Sequence, residues 1–171
     1  MGMFGRILVA TDFSPASAPA VGQAVKLARE ARAELLLVHV YEPPGAAAFG
    51  GYIPSASLFD EIEEALRTGA QKGLEPLVED ARRQGVKATA RVLRGVAHCA
   101  ITEAAAADRA DLIVLGTHGR SGLSRFLLGS VAQRVIATAP CPVMTVHPLE
   151  GGKGEVGKGR GPRRKPAVTG E

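Results

Sequence analysis

Five short apolar runs recur along the chain, and segments with helical spacing separate them. The runs show almost no polar alternation, which is typical of strands that are covered on both faces. Alternating strands and helices predict an α/β fold: a five-stranded, mostly parallel open sheet flanked by helices, with right-handed crossovers. The predicted strands are residues 6–10, 34–41, 88–93, 111–115 and 142–146, and the predicted helices are one that ends near residue 32, one that follows Ser57, and two at residues 97–107 and 130–139.

The second predicted helix carries conflicting signals. Ser57 and Asp60 resemble a capping box, in which the two side chains bond backbone amides at the start of a helix. Two glycines and Pro76 then interrupt the apolar spacing. Because proline lacks the amide N–H that a helix interior needs, we expect a kink or a break near residues 73–76.

Length and composition favour one globular domain in a reducing setting. The chain has 171 residues, of which 46% are apolar, and this is enough to build a buried core. Its two cysteines, Cys99 and Cys141, form no CxxC motif, so we expect a cytoplasmic protein. The N-terminus lacks the pattern of a signal peptide, and no stretch approaches the ~20 apolar residues that cross a bilayer, so we expect no membrane partner.

The net charge of +4 is concentrated at the end of the chain. Residues 149–171 hold six Lys and Arg against three Glu, and they include seven glycines. Such a segment cannot bury enough apolar surface to order itself. We therefore expect residues 1–148 to form the domain and residues 149–171 to form a flexible basic tail. No aromatic residue lies among the basic ones for base stacking, so we expect no specific binding of nucleic acid.

A glycine-rich stretch, GTHGRSGLSRFLLGSVAQRV, follows the fourth predicted strand at residues 116–135. Ligands of open α/β sheets bind beyond the carboxyl ends of the strands, where the strand order reverses. The stretch begins at that edge. Gly116 and Gly119 can adopt positive φ, which lets backbone amides approach a ligand closely.

The end of this stretch has the features of a phosphate site. Ser130 stands where the N-cap of the following helix belongs. The amides of Gly129, Ser130 and Val131 would then point outward along the positive end of the helix dipole, which favours an anion. Arg120 and Arg125 add positive charge to the same loop.

Other common site types are excluded. The chain has no Gly-Lys-Ser or Gly-Lys-Thr, so it lacks a Walker A loop, and no glycine follows the first strand to make a dinucleotide fingerprint. The four histidines are scattered without metal-ligand spacing, so we expect no transition-metal site. Magnesium bound through phosphates would keep most of its waters and leave little trace in a sequence.

The glycines have the spacing Gly116-x2-Gly119-x9-Gly129-Ser130. In this the sequence resembles the universal stress proteins, and specifically the branch that binds ATP, whose signature is G-x2-G-x9-G-[ST]. The resemblance covers about residues 4–147 and is carried by ILVATDFSPAS, LLLVHVYEP, DLIVLGTHGRSGLSRFLLGSVAQRV and APCPVMTV, in this order. It implies an adenine nucleotide α-hydrolase-like, Rossmann-like sheet with strand order 3-2-1-4-5.

The resemblance also implies a site for ATP, or for ADP or AMP, with Mg²⁺. Asp12 matches an acid that contacts the ribose or the phosphate-bound metal, although its place before the first helix leaves a capping role equally open. Val40 matches the position whose backbone groups bond the adenine edge. The remaining matched residues lie beside the base, ribose and phosphates in the family: Ala10, Thr11, Leu115, Gly116, His118, Gly119, Arg120, Gly129, Ser130 and Val131.

The fifth predicted strand is the expected dimer contact. In the family this strand pairs with its counterpart across a two-fold axis. The strand here is apolar and lies at a sheet edge, where such pairing also covers exposed backbone groups. The resemblance therefore implies a homodimer through Pro142, Val143, Met144, Thr145 and Val146.

Three functions remain open at this point. The first is a nucleotide-responsive stress or signalling module that acts as a homodimer. The second is a slow ATPase or nucleotide-processing enzyme on the same fold; Asp12 and His118 are its candidates, but neither has a visible orienting partner, so no catalytic residue is assigned. The third is a ligand-free interaction protein, like the family members without the glycine motif, and the intact motif here argues against it.

Removal of residues 149–171 should leave nucleotide affinity unchanged, because the tail lies outside the region that resembles the family. Calorimetric titration of the truncated and full-length proteins with ATP checks this. A large loss of affinity in the truncated protein would make the tail part of the site.

Overall fold

The computed structural model describes residues 3–45, 49, 55–117 and 128–147; the predicted tail lies outside them. The strands are β1 (Arg6–Ala10), β2 (Glu34–Tyr41), β3 (Ala88–Arg94), β4 (Leu112–Gly116) and β5 (Val143–Val146), and the helices are α1 (Ala18–Ala31), α2 (Ala56–Arg83), α3 (Ala97–Ala107) and α4 (Ser130–Thr138). The strands form one sheet in the order β3-β2-β1-β4-β5. All four pairings are parallel, which confirms the predicted fold class and strand order and makes the sheet wholly parallel.

Two apolar layers cover the sheet, because successive residues of a strand point to opposite faces. On one face Ile7 and Val9 pack with α1 and α2, and on the other Leu8 packs with α3 and α4. All three side chains are 0% exposed. Burial of each contributes roughly 1.5–3 kcal/mol, so the central strands supply much of the stability.

The strand order reverses between β1 and β4. The chain leaves β1 through α1 toward β2 on one side, and it later returns through α3 to place β4 on the other side. The carboxyl ends of β1 and β4 therefore lie side by side at the edge where their two crossovers diverge. This is the position at which open α/β sheets form a ligand crevice.

The start of α2 differs from the prediction. Ser55 is the N-cap: its backbone is extended, and its hydroxyl accepts a hydrogen bond from the Leu58 amide at 3.3 Å. The predicted capping box of Ser57 and Asp60 was wrong, because Ser57 already lies within the helix. Its hydroxyl lies 3.1 Å from that of Ser55. Both serines suit a cap chemically, and the helix begins after the first of them.

Of the predicted kink or break near residues 73–76, the break was wrong, since α2 runs unbroken through Pro76 to Arg83; the kink stays a prediction. Pro76 is exposed, and so is Lys72, whose carbonyl would have bonded the amide that proline lacks. Water can satisfy that carbonyl, so the lost helix bond leaves no buried polar group unpaired. Buried side chains such as Leu74 hold the helix against the sheet on its other side.

A helix must be both long and apolar to cross a lipid bilayer. At 28 residues α2 is long enough to cross one, but seven of its residues are Asp or Glu. Across the described ranges, no helix combines a sufficient length with a sufficiently apolar sequence to span a membrane.

A three-residue ion cluster at the amino edge of the sheet joins β1, β2 and the residue that precedes β3. Glu34 accepts a hydrogen bond from Arg6 Nη2 at 2.7 Å, and its other carboxylate oxygen pairs with Lys87 Nζ. The hydrogen bond from Lys87, and after it the one from Arg6, lower the pKa of Glu34 below its usual value. A lowered folded-state pKa means that the cluster adds stability above the unfolded-state pKa and loses it as the pH falls through the folded-state value.

Glu34→Gln should therefore destabilise the protein at pH 7, and its deficit relative to the unmodified protein should shrink below about pH 4, near the ordinary Glu pKa. Urea unfolding at pH 7 and about pH 3 measures both. Glu30→Gln is the matched control, because Glu30 is exposed and has no ion pair within the described residues. A deficit that is the same at both pH values would rule out this account of the cluster.

Candidate functional site

A cavity of about 340 Å³ opens at the carboxyl edge of the sheet, where β1 and β4 end. Its size falls within the range of about 300–1,000 Å³ typical of small-molecule sites. Nine of the twelve predicted site residues line it: Ala10, Thr11, Asp12, Val40, Leu115, Gly116, Gly129, Ser130 and Val131. The structure thus brings together residues from both sides of the strand reversal.

The other three predicted residues, His118, Gly119 and Arg120, lie outside the described residues. The two ends of their segment are nevertheless held together. The Gly129 amide donates a hydrogen bond to the Thr117 carbonyl at 2.8 Å. Both residues line the cavity.

The N-terminus of α4 faces the cavity, with details that differ from the prediction. Gly129 is the N-cap and Ser130 the first helical residue, so the prediction of Ser130 as N-cap was wrong. The Gly129 amide is already used by the Thr117 carbonyl. The amides of Ser130, Val131 and Ala132 are the ones that lack a partner within the described part of the chain, as expected for the first turn of a helix. Three such amides at a helix N-terminus are suited to an anion.

Gly116 contributes in a different way from the one predicted. It is the last residue of β4 and pairs with Val146 of β5. Its φ is not positive, since the glycines with positive φ among the described residues are Gly85 and Gly95. Gly116 therefore lines the cavity from an ordinary strand conformation, without the positive φ that was predicted to be available to it.

Asp12 lies in a tight turn that follows β1. Its Oδ1 accepts hydrogen bonds from the Ser14 amide at 3.0 Å and from the Ser14 hydroxyl at 2.6 Å. The N-cap of α1 is Ser17, so Asp12 shapes the turn before the helix and does not cap the helix itself. The turn holds the carboxylate at the wall of the cavity.

A buried pair of hydroxyl groups, those of Thr11 and Ser17, also stabilises this turn. Thr11 Oγ1 lies 3.0 Å from Ser17 Oγ, and it also accepts a hydrogen bond from the Phe13 amide at 3.0 Å. Thr11 and Ser17 are both buried. Because each hydroxyl has a partner, hydrogen bonds offset the cost of its burial, and Thr11 serves the turn as well as the cavity wall.

The backbone groups of Val40 face the cavity because β1 ends before it can pair with them. Even-numbered residues of β2 direct their backbone groups toward β1, as the Val38 carbonyl does when it accepts a hydrogen bond from the Thr11 amide at 3.0 Å. The backbone N–H and C=O of Val40 point toward the same side, because every second residue of a strand directs these groups to the same neighbouring strand. β1 ends at Ala10, opposite Val38, and the next carbonyl, that of Thr11, is bonded by the His39 imidazole at 2.8 Å. The N–H and C=O of Val40 thus face the cavity side without a strand partner.

Five further residues line the cavity and were not predicted: Ser17, Ala97, Ile101, Thr117 and Ala132. Ala97 and Ile101 lie one turn apart on α3 and extend the apolar wall that Val40 and Leu115 begin. Their i, i+4 spacing and the position of α3 after β3 were visible in the sequence. Their proximity to the cavity depends on how α3 packs across the sheet.

The site has an apolar end and a polar end. Val40, Leu115 and the two α3 residues form a surface that suits a flat, weakly polar ring, and Asp12 and the α4 amides suit a sugar and an anion. No three His, Cys, Asp or Glu side chains converge to hold a metal ion anywhere in the part of the chain that the structure describes. A cation at this site would therefore depend on oxygen atoms of its ligand, with Asp12 as the carboxylate within reach.

Comparisons with known proteins agree with this geometry. The family model of the universal stress protein family matches residues 3–147. Universal stress protein MJ0531 of Methanocaldococcus jannaschii is 38% identical over 144 residues, which are 84% of this chain and 82% of that protein. Among solved structures, universal stress protein UspA of Lactobacillus plantarum has a TM-score of 0.73 at 24% identity, covering 84% of this chain and 97% of that one. A universal stress protein solved in complex with cAMP has a TM-score of 0.61 at 25% identity, covering 85% of this chain and 98% of that one.

Proposed function

The chain belongs to the universal stress protein family, and from this premise we propose that it binds an adenine nucleotide in the cavity at the end of β1 and β4. The observation that carries the proposal is the convergence of nine predicted residues on one cavity. They come from four separate segments of the chain, so their meeting is a property of the fold.

The apolar end of the cavity would hold the base. Adenine presents a donor and an acceptor on one edge, and Val40 offers a backbone C=O and N–H that no strand occupies. The purine ring would lie between the side chains of Leu115 and Ile101, which exclude water. Backbone recognition of this kind depends on the geometry of β2 rather than on the side chain of Val40.

The polar end would hold the ribose and the phosphates. Three amides at the start of α4, those of Ser130, Val131 and Ala132, can donate to phosphate oxygens along the helix dipole. Asp12 can accept from a ribose hydroxyl or bind a phosphate-bound Mg²⁺, and a carboxylate oxygen is a suitable ligand for that ion. His118, Gly119 and Arg120 remain predicted contacts of the ribose and phosphates.

We propose ATP with Mg²⁺ as the physiological ligand and a nucleotide-responsive module, rather than an enzyme, as the role. The glycine signature supports ATP, and the cAMP complex of a related protein supports an adenine nucleotide of some kind. Among the described residues that line the cavity, Asp12 is the one titratable side chain. A base and an oriented nucleophile, which fast hydrolysis needs, are not assembled by these residues.

Calorimetric titration of the purified protein with ATP, ADP and cAMP, each with and without Mg²⁺, tests the proposal, with GTP as the control for the base. We expect the adenine ligands to bind more tightly than GTP. We also expect no ADP to form in the ATP sample during the titration. Steady production of ADP would favour the alternative function, a slow ATPase. Absence of binding by every adenine nucleotide would overturn the proposal and favour a ligand-free interaction protein.

Gly129→Asp should weaken ATP binding by about a hundredfold or more, because like charges placed together cost several kcal/mol. Gly129 has φ −59° and ψ 148°, a backbone that any residue can adopt, and aspartate is a favourable N-cap, so the variant should fold with equal or greater stability. Gly129→Asn is the matched control, since it caps the helix without a charge and should lose much less affinity. Equal losses in both variants would argue against phosphate binding at this helix.

We also propose a homodimer formed through β5. The Pro142 carbonyl accepts from Ile113 and the Val146 carbonyl accepts from Thr117, so the even-numbered residues of β5 bond β4. Val143 and Thr145 therefore direct their N–H and C=O groups outward from the edge of the sheet. The edge strand of a second copy can pair with these groups.

The free thiols of Cys99 and Cys141 are in keeping with a cytoplasmic location, which we propose as well.

Thr145→Pro should convert the dimer to a monomer, because it deletes one outward N–H and leaves the bonds to β4 in place. Thr145→Val retains that N–H and serves as the control. Sedimentation equilibrium of the two variants and the unmodified protein gives their masses. A Thr145→Pro protein that remains folded and dimeric would exclude β5 as the interface.

A further inference from the structure

The turn after β1 contains a strained aromatic residue. Phe13, next to Asp12, has φ +62°, which is the left-handed region that bulky side chains rarely adopt. Its side chain is 39% exposed, so burial alone does not explain why the chain accepts this conformation. Residues in sparsely populated backbone regions persist where surrounding contacts hold them, and they concentrate at functional sites.

Two contacts hold the Phe13 ring from different directions. Its face stacks on His39, with ring centroids 4.3 Å apart and planes inclined by 23°. The His39 ring is itself tied to the same turn, because its Nδ1 lies 2.8 Å from the Thr11 carbonyl. A carbonyl can only accept, so Nδ1 carries the proton and donates.

The tip of the ring rests against Gly73, in the middle of α2. A Cβ added to Gly73 would lie 2.8 Å from Phe13 Cζ, 2.9 Å from Cε1 and 3.1 Å from Cε2. These three atoms form the far end of the ring, so even an alanine at position 73 would displace it. The same Cβ at Gly69, one turn earlier in α2, would meet no atom within 4 Å.

We propose that Phe13, His39 and Gly73 form a buttress that positions Asp12 at the nucleotide cavity. The buttress lies on the α1 and α2 face of the sheet, opposite the side of the cavity formed by α3 and α4. It rests on the proposed function, since Asp12 matters here as a contact of the nucleotide or its Mg²⁺. None of the described residues that line the cavity belongs to α2, so an effect of α2 on the site is indirect, and the proposed route is the contact of Gly73 with Phe13.

The geometry explains how a change in α2 reaches Asp12. The ring cannot retreat along its own axis without moving the Phe13 backbone. It could turn into the neighbouring cavity, which Phe13 and Gly73 both line, only by giving up its stacking on His39. The Phe13 amide is bonded to Thr11 Oγ1, and the Ser14 amide is bonded to Asp12 Oδ1. Displacement of the ring therefore disturbs the hydrogen bonds that orient the carboxylate.

Gly73→Ala tests the buttress, with Gly69→Ala as the matched control. Both changes replace a glycine inside α2, so both should gain helix propensity and raise the midpoint of thermal unfolding by about 2–4 °C in the absence of a clash. We expect Gly69→Ala to show this gain and to bind ATP with Mg²⁺ as the unmodified protein does. Gly73→Ala should lose the gain and weaken binding by about tenfold or more, the size of one lost hydrogen bond to a charged group.

A second-site variant separates positioning from a general loss of structure. In a Phe13→Ala background the ring is gone, so adding Gly73→Ala should cause no further loss of affinity and should restore the gain in thermal midpoint. An additive loss in the double variant would overturn the proposal, because it would show that Gly73 acts without the ring.

The amide resonance of Ser14 in ¹⁵N-labelled protein reports the turn without any nucleotide. It should shift in Gly73→Ala and stay in place in Gly69→Ala. If the unmodified protein binds ATP and Gly73→Ala binds it equally well, the buttress is wrong and the proposed function stands. If the unmodified protein binds no nucleotide, the proposed function fails, and the Ser14 resonance alone decides whether the buttress positions this turn.

Discussion

Burial of β1 and β4 on both faces is the constraint on which the rest of the structure depends. Strands without a polar face must be covered by helices on each side, and parallel strands joined by right-handed crossovers achieve this. The crossovers from β1 run to one side and those that reach β4 run to the other, so the two carboxyl ends meet where no helix covers them. The cavity follows from this arrangement, since the same packing that hides Ile7, Leu8 and Val9 leaves an opening beyond Ala10.

The walls of this opening rely largely on backbone groups. Val40 presents its N–H and C=O because β1 has ended beside it, and α4 presents three amides because a helix cannot satisfy its own first turn. Such groups are positioned by secondary structure and cost no side-chain entropy when a ligand binds. Asp12 is the exception, and the structure surrounds it with hydrogen bonds from Ser14, a buried hydroxyl pair and an aromatic ring. Asp12 faces the cavity through its side chain, so its position depends on these supporting residues.

Most elements could be predicted because their signals are local. RILVA and ELLLVHVY became strands with the predicted bounds, and α3 matched its alanine-rich segment. The errors arose where a local signal had a competitor. Ser55 and Ser57 are chemically equivalent caps, Pro76 lies on a face where water replaces the lost hydrogen bond, and Ser130 yields the N-cap to Gly129, whose amide is drawn to the Thr117 carbonyl. For Pro76 solvent exposure decided the outcome, and for Ser130 a neighbour distant in sequence did so.

The sequence by itself determined the fold class, the order of elements and the glycine spacing that marks the family, because apolar periodicity and turn residues act over a few neighbouring positions. Only the tertiary structure decided which groups face the cavity. The direction of the Val40 backbone depends on where β1 stops, and the α3 wall depends on how that helix crosses the sheet. The contact between Phe13 and Gly73 joins residues that are far apart in the chain, and it depends on the packing of α2 across β2 and β3. No local pattern records such a contact, since the energy that favours it appears only once the sheet and its helices are assembled.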